Sequence, residues 1–267
     1  MLKRQQAIGI FDSGIGGLTV ANAVLKQLPQ EEIIYFGDTA HLPYGDKSAD
    51  AIRYYCLKIA KFLLEKNCKM IVVACNSASS VAYDVLLEFF NKEVLFVNVV
   101  DPLVASVARK SFSKVGVIAT KATIQSGVYQ KKILENAPET QVAALATPLL
   151  APMIEEGFVH NRISEAALDT YLSHKGFHNM DALLLACTHY PLIRKDIEAY
   201  FNHQVKIFDS GDLVALEIES ILKERMLLND LLKPKHQFYL SDYTQSFSQT
   251  AKMFFGNEVA LSQHNIW

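Results

Sequence analysis

The feature that most constrains the fold of this chain is a series of short segments that are apolar without interruption. One of them reads Ile71-Val72-Val73-Ala74, with no polar residue at alternate positions. A strand of this kind is buried on both faces, as in a parallel sheet that helices cover on both sides. Comparable segments recur along the chain, and they predict strands at residues 7–11, 32–36, 70–74, 94–97, 115–119, 142–145, 182–186 and 205–208.

Helical patterns fill most of the intervals between these segments. Residues 49–66 and 123–136, for example, carry apolar side chains at spacings of three and four residues. The alternation of strand and helix predicts an α/β protein with doubly wound parallel sheets. The last part of the chain, residues 235–267, predicts a strand, a helix and a further strand that complete a sheet.

The two halves of the chain resemble each other. The number of residues from Asp12 to Cys75 is similar to the number from Thr120 to Cys187, and each of these four residues follows an apolar segment. Either strands merely resemble strands, or the chain contains two similar α/β domains that face each other across a cleft. We favour the second interpretation and predict one domain from residues 1–98 plus 211–267, and another from residues 99–210.

Composition excludes several classes of protein. The chain has 267 residues, of which 50% are hydrophobic, and this is enough apolar material for one large domain or two. The net charge is −2 and no basic stretch alternates with aromatic residues, so nothing predicts a nucleic-acid partner. The apolar segments fall short of the ~20 residues of a membrane span and of the roughly 7–15 residues of an export signal. We therefore expect a cytoplasmic protein without a membrane partner.

The four cysteines include two in matching positions. No Cys-x-x-Cys pair occurs, so free thiols in a reducing compartment are expected, and the scattered histidines predict no metal site. Cys75 and Cys187 each end an apolar strand and precede a polar segment that predicts a helix start. Unpaired N–H groups there would lower the pKa of a thiol and could bind a carboxylate. A single buried cysteine is usually a small hydrophobic residue, but two in matching contexts favour a function.

Two loops and one acidic pair also carry polar side chains that could serve a ligand. The segment Asp12-Ser13-Gly14-Ile15-Gly16-Gly17 lacks the third glycine of a dinucleotide fingerprint. It predicts a tight loop that presents Asp12 and Ser13 to a small polar ligand, or else a cap of the following helix. Residues 35–45 predict either a rim that closes over a ligand or an ordinary surface connection. The pair Glu155-Glu156 is predicted to lie at the end of a helix, where charged side chains are usually exposed to solvent.

Four motifs together resemble the glutamate racemases. They are Asp12-Ser13-Gly14-x-Gly16-Gly17-Leu18-Thr19-Val20, Gly37-Asp38-Thr39 with Pro43-Tyr44-Gly45, Ala74-Cys75-Asn76-Ser77-Ala78, and Cys187-Thr188-His189-Tyr190-Pro191. One departure is Ser77, where the family usually has threonine. The resemblance implies two flavodoxin-like domains with the active site between them, a homodimer, and no cofactor or metal. It also implies that the product D-glutamate supplies peptidoglycan synthesis.

The resemblance further implies roles for individual residues. Cys75 and Cys187 would be the two acid/base thiols. Asp12 would assist the first thiol, and His189 and Glu155 the second, although the adjoining Glu156 leaves open which glutamate is used. The implied substrate contacts are Asp12, Ser13, Tyr44, Gly45, Asn76, Ser77, Thr188 and His189.

The chemistry of racemisation agrees with a pair of like groups. Inversion of an α-carbon removes a proton on one face and delivers one to the other, which a single base cannot easily do. Without a cofactor to disperse the carbanion, the protein must exclude water and hold the substrate carboxylate. The alternatives are an aspartate or hydantoin racemase and a non-catalytic protein that binds small anions. A thiol-disulfide oxidoreductase fits less well, because neither cysteine has a resolving partner nearby.

Overall fold

The computed structural model describes residues 2–267, apart from the side chain of Ser246. Strands and helices alternate along most of this part of the chain. The strands are β1 Ile8–Asp12, β2 Ile33–Gly37, β3 Met70–Val73, β4 Leu95–Asn98, β5 Lys114–Ala119, β6 Gln141–Ala146, β7 Ala182–Ala186, β8 Lys206–Phe208, β9 Gln237–Leu240 and β10 Leu261–Gln263. The α-helices are α1 Leu18–Gln27, α2 Ala49–Glu65, α3 Asn76–Val81, α4 Tyr83–Phe90, α5 Val100–Ala108, α6 Lys121–Ser126, α7 Val128–Asn136, α8 Leu150–Glu155, α9 Arg162–Leu172, α10 Arg194–Tyr200, α11 Gly211–Glu224 and α12 Gln245–Phe255.

The strands form two parallel sheets. The first has the order β10-β9-β2-β1-β3-β4 and the second has the order β6-β5-β7-β8. Each neighbouring pair is parallel. The order β2-β1-β3-β4 of the first sheet recurs in the second as β6-β5-β7-β8, and it is the order of flavodoxin-like sheets. The doubly wound α/β prediction is confirmed, and the similarity between the two halves is a repeat of strand order.

Strand position in the sheets explains the apolar segments of the sequence. The central strands β1, β3, β5 and β7 carry almost entirely buried residues, whereas the edge strands β6 and β10 do not. A strand between two neighbours in a sheet covered on both faces has no solvent side, so almost all of its positions are apolar. Parallel strands also bring their carboxyl ends to one edge of the sheet, which is where ligands bind in such folds.

The end of the chain returns to the first sheet. Strand β9 pairs with β2, β10 pairs with β9, and helix α11 packs on α1. The predicted strand, helix and strand in residues 235–267 are therefore confirmed as β9, α12 and β10. The first sheet uses strands from both ends of the chain and the second uses the middle, and we propose residues 1–98 plus 211–267 and residues 99–210 as the two domains.

One segment that was predicted as a single helix is divided into two helices in the structure. Residues 123–136 were expected to form a single helix, but α6 ends at Ser126 and α7 begins at Val128. Gly127 between them has a φ of +67°, a left-handed conformation that glycine adopts without steric cost and that commonly ends helices. The apolar spacing continues across the break, and for this reason the pattern did not reveal it.

No helix within residues 2–267 is both long and apolar enough to cross a membrane.

Candidate active site

A cavity of about 200 Å³ lies at the carboxyl ends of strands from both sheets. It is smaller than the roughly 300–1,000 Å³ of sites for drug-sized ligands, so it suits a small molecule. None of the described residues that line it is a lysine or an arginine. The lining residues are Ser13, Leu42, Pro43, Tyr44, Gly45, Cys75, Asn76, Ser77, Thr120, Ala151, Pro152, Glu155, Cys187, Thr188 and His189.

Cys75 lies on the first-sheet side of the cavity, two residues after the end of β3. It is the N-cap of the six-residue helix α3, and its Sγ accepts a hydrogen bond from the Ala78 N–H at 3.5 Å. The sulfur also lies 3.7 Å from Ser13 Oγ. Burial and the negative charge of Asp12 raise the pKa of the thiol to about 12, against the smaller effects of these two hydrogen bonds. The expectation of a lowered pKa was therefore wrong for Cys75, because desolvation outweighs the helix N-terminus.

Asp12, the last residue of β1, is completely buried beside this thiol. Its carboxylate accepts hydrogen bonds from the Gly14 N–H at 3.0 Å and from the Thr188 hydroxyl at 3.3 Å. Burial raises its pKa, although the charge of His189 opposes the shift. Helix α1 begins at Leu18 with Gly17 as its N-cap, so the alternative in which Asp12 caps this helix was wrong.

Cys187 lies on the opposite side of the cavity, directly after β7. The prediction that it begins a helix was wrong, because a single 3₁₀ turn, Tyr190–Ile193, stands between it and α10. Pro191 lies in the first turn of that segment, as predicted. The Cys187 Sγ is 3.6 Å from His189 Nδ1. The charge of Cys187 also helps to raise the pKa of Cys75, so the two thiols interact across the cavity.

His189 connects the second thiol to a glutamate. Its Nε2 lies 2.7 Å from Glu155 Oε1 at the end of α8. Burial lowers the pKa of the imidazole, but the charges and hydrogen bonds of Cys187 and Glu155 outweigh this effect and raise it to about 10. The surroundings of the ring therefore favour its protonated form, the imidazolium. Glu155 was expected to be solvated from its sequence context, and this was wrong, whereas the neighbouring Glu156 is exposed.

The loop around Tyr44 forms one wall of the cavity. Tyr44 is buried and donates its hydroxyl proton to Asp38 Oδ2 at 2.7 Å, and Ser241 donates to the other oxygen of Asp38 at 2.8 Å. Gly45 lies so close to the second half that an added Cβ would meet the Thr120 Cβ at 2.8 Å. Of the two interpretations of residues 35–45, the rim is therefore the one that the structure supports.

Hydrogen bonds join the two halves around the cavity. Ser77 Oγ lies 2.8 Å from Thr120 Oγ1, and Asn76 Oδ1 accepts the Tyr129 hydroxyl at 2.6 Å. The bond from Thr188 to Asp12 also crosses between the halves. Polar side chains from both halves therefore bridge the cleft around the cavity.

Each residue that the sequence assigned to the site lies at this cavity or contacts a residue that does. Sequence reasoning did not assign five of the lining residues, Leu42, Pro43, Thr120, Ala151 and Pro152, to the site. The signal for Thr120 was present, because it directly follows β5, and Asp12 ends β1, the corresponding strand in the repeated order. Cys56 and Cys68 are buried but do not line the cavity, and burial raises the pKa of Cys68 to about 12. Within residues 2–267, no group of three or more histidine, cysteine and acidic side chains is arranged to hold a metal ion.

Comparison with known proteins agrees with this geometry. The sequence profile of the Asp/Glu/Hydantoin racemase family matches residues 18–218. A glutamate racemase of Geobacter metallireducens is 40% identical over 258 residues, which cover 95% of this chain and 94% of that protein. The crystal structure of glutamate racemase from Francisella tularensis, in complex with D-glutamate, aligns with a TM-score of 0.93 at 38% identity and covers 98% of each chain. A glutamate racemase of Streptococcus suis is 39% identical over 256 residues, which cover 94% of this chain and 96% of that protein. On these grounds the chain belongs to the Asp/Glu/Hydantoin racemase family.

Proposed function

We propose that this protein is a glutamate racemase that interconverts L- and D-glutamate with two thiols and without a cofactor. The observation that carries the proposal is the position of Cys75 and Cys187, which line one cavity from opposite halves of the protein. Each sulfur has its own acid–base neighbour, Asp12 or His189. The similar proteins described above are glutamate racemases, and one of them was solved with D-glutamate.

The proposed reaction uses one thiolate and one thiol in each direction. Cys75 takes the α-proton from D-glutamate while Cys187 delivers a proton to the opposite face, and the roles reverse when L-glutamate is the substrate. After each turnover one sulfur has gained the proton that the other has lost. Because both thiols are buried, the developing carbanion is stabilised mainly by fixed donors rather than by solvent.

The polar lining suits the charges of an amino acid. Hydroxyl and amide donors from Ser13, Asn76, Ser77 and Thr188 can hold carboxylates. The buried carboxylate of Asp12 offers the opposite charge to an α-ammonium group. Tyr44 and Gly45 enclose the far side of the substrate. This division leaves the α-carbon between the two sulfurs.

The two thiols have unlike electrostatic surroundings. Asp12 places a negative charge beside Cys75 and, with burial, keeps that group a thiol in the unliganded protein. His189, held by Glu155, places a positive charge beside Cys187. We propose that His189 and Asp12 adjust the proton affinities of the thiols and that Glu155, rather than Glu156, completes the second pair.

Elimination from a glutamate analogue with a chloride on carbon 3 tests the division of labour between the thiols. Loss of the α-proton and of chloride needs a base on one face only, whereas racemisation needs both faces. Cys75→Ser and Cys187→Ser should each lose racemisation, because serine is far less acidic than cysteine. The two variants should retain elimination from opposite enantiomers of the analogue.

A matched control is Cys68→Ala, which alters a buried cysteine that does not line the cavity and should racemise glutamate like the wild type. If both serine variants prefer the same enantiomer, or if either one keeps wild-type racemisation, the two-thiol mechanism is wrong. Turnover of aspartate or of a hydantoin in place of glutamate would select the alternative racemases. Ligand binding that survives in both variants without any wild-type turnover would indicate an anion-binding protein.

We further propose that the protein acts in the cytoplasm, supplies D-glutamate for peptidoglycan, and forms a homodimer. The proposal of a dimer predicts a mass in solution near twice the 29.9 kDa of the chain. A fully active monomer in sedimentation experiments would contradict it.

A further inference from the structure

Asn76 has one polar atom that no protein group satisfies. The residue is only 3% exposed and lines the cavity directly after Cys75. Its Oδ1 accepts a hydrogen bond, but its Nδ2 has no hydrogen-bond partner among the described residues. A buried donor left without an acceptor costs about 1–3 kcal/mol, so in a native protein it indicates a ligand or a bound water.

Tyr129 decides which end of this amide faces the cavity. Its ring is 1% exposed on α7 of the second half, and its hydroxyl donates to Asn76 Oδ1 at 2.6 Å. Burial raises the pKa of the phenol well above its usual range, so the hydroxyl keeps its proton and requires an acceptor. Asn76 supplies that acceptor only while its oxygen points to Tyr129 and its nitrogen points away.

We propose that Tyr129 is a positioning residue that holds Asn76 Nδ2 as a hydrogen-bond donor to a substrate carboxylate. This inference rests on the proposed racemase function and adds to it a residue outside the cavity lining. An amide that turned over would present its carbonyl oxygen to the carboxylate, and two acceptors repel each other. Tyr129 thus ensures that the substrate carboxylate next to Cys75 faces an N–H donor with a partial positive charge, and not a carbonyl oxygen.

Because of the hydrogen bond from Tyr129, the orientation of the Asn76 amide depends on both halves of the protein. Asn76 is the first residue of α3 after the first sheet, whereas Tyr129 belongs to α7 beside the second. The amide is held in the binding orientation only while the two halves lie together. Substrate binding and closure of the cleft are therefore coupled through this hydrogen bond.

Removal of the tyrosine hydroxyl is the test. Tyr129→Phe keeps the buried ring and should raise KM for both enantiomers about tenfold, since a hydrogen bond to a charged group contributes roughly that much or more. The value of kcat should change less than about threefold, because the thiols are untouched. The matched control is Tyr239→Phe, which deletes a hydroxyl bonded at the same 2.6 Å to Gln237 on β9 and should leave KM unchanged.

A double-mutant cycle separates positioning from a structural role. In an Asn76→Ala background the amide is gone, and Tyr129→Phe should then raise KM no further. Additive effects, an unchanged KM in Tyr129→Phe, or a fall in thermal stability without a change in KM would overturn the proposal. If the wild-type protein racemises glutamate, such a result rejects only the positioning role.

If the wild type does not racemise glutamate, the proposed function fails first. The positioning role is then decided by calorimetric titration with D-glutamate. A weaker affinity of Tyr129→Phe than of the wild type supports it, and equal affinity or absent binding rejects it.

Discussion

The contact between Glu155 and His189 allows a quantitative prediction of a shift in the pKa of His189. In Glu155→Gln the side chain keeps its shape and its ability to hydrogen bond His189 Nε2, but it loses its charge. Hydrogen bonds to charged groups contribute about 1.5–3 kcal/mol, against about 0.5–1.5 kcal/mol for neutral ones. The Glu155 side chain is 28% exposed, so solvent screens part of its charge. We therefore expect the variant to lose about 1–1.5 kcal/mol of the interaction between residue 155 and the charged imidazole.

This loss corresponds to roughly one pKa unit, since one unit is about 1.4 kcal/mol. The pKa of His189 should therefore fall from about 10 in the wild type to roughly 9 in the variant. The folded-state pKa lies above the unfolded value in both proteins. The stabilisation that the charged imidazole contributes is thus complete below about pH 6.5 and is lost as the pH rises through the folded pKa. In the variant that loss occurs at lower pH.

The assay is the rate of racemisation from L-glutamate between pH 6 and 11, together with an NMR titration of the His189 ring. We expect the alkaline limb of the Glu155→Gln profile and the ring titration to move down together by about one pH unit. Glu156→Gln is the matched control, because it removes a charge from the next residue, which is exposed. Equal shifts in both variants, or no shift in Glu155→Gln, would refute the reasoning.

Three further predictions concern stability, the rim and the cofactor. Lys69 and Glu31 form a fully buried ion pair at 2.6 Å, so Lys69→Met should reduce the free energy of unfolding by about 3–5 kcal/mol. The control is Lys223→Met, which removes the exposed partner of Glu219. In urea denaturation this change should lower the free energy of unfolding by less than about 1 kcal/mol. Equal losses of stability in the two variants would contradict the burial argument. Gly45→Ala should raise KM for glutamate, because its Cβ would meet Thr120 at 2.8 Å, and an unaltered KM would show that the rim yields without cost. Dialysis against a chelator should leave racemisation intact and the protein should lack pyridoxal absorbance, whereas activity that returns only with added metal would reject a cofactor-independent mechanism.

Much of the fold could be predicted from the sequence, because its signal is local. A central parallel strand is apolar at almost every position, and β7 was predicted with the bounds that the structure has, Ala182–Ala186. The bounds of the other predicted strands differ from the structure by at most one residue at each end, since hydrophobicity does not mark the last hydrogen bond of a ladder. The positions of Cys75 and Cys187 after two such strands also followed from the sequence. Parallel strands must bring their carboxyl ends to one edge, and this placed both residues at the binding edges of their sheets.

Only the tertiary structure decided the partners of these residues and their proton affinities. Glu155 and His189 are 34 residues apart, and Tyr129 and Asn76 are 53 apart, so no local pattern records either contact. Both depend on how the second half lies against the first. The pKa of Cys75 was predicted to fall because a helix begins there, yet it rises because the folded chain removes water from the sulfur and places Asp12 beside it. Sequence periodicity reports which side chains are buried, but the energy of a buried charge depends on every group that packs around it.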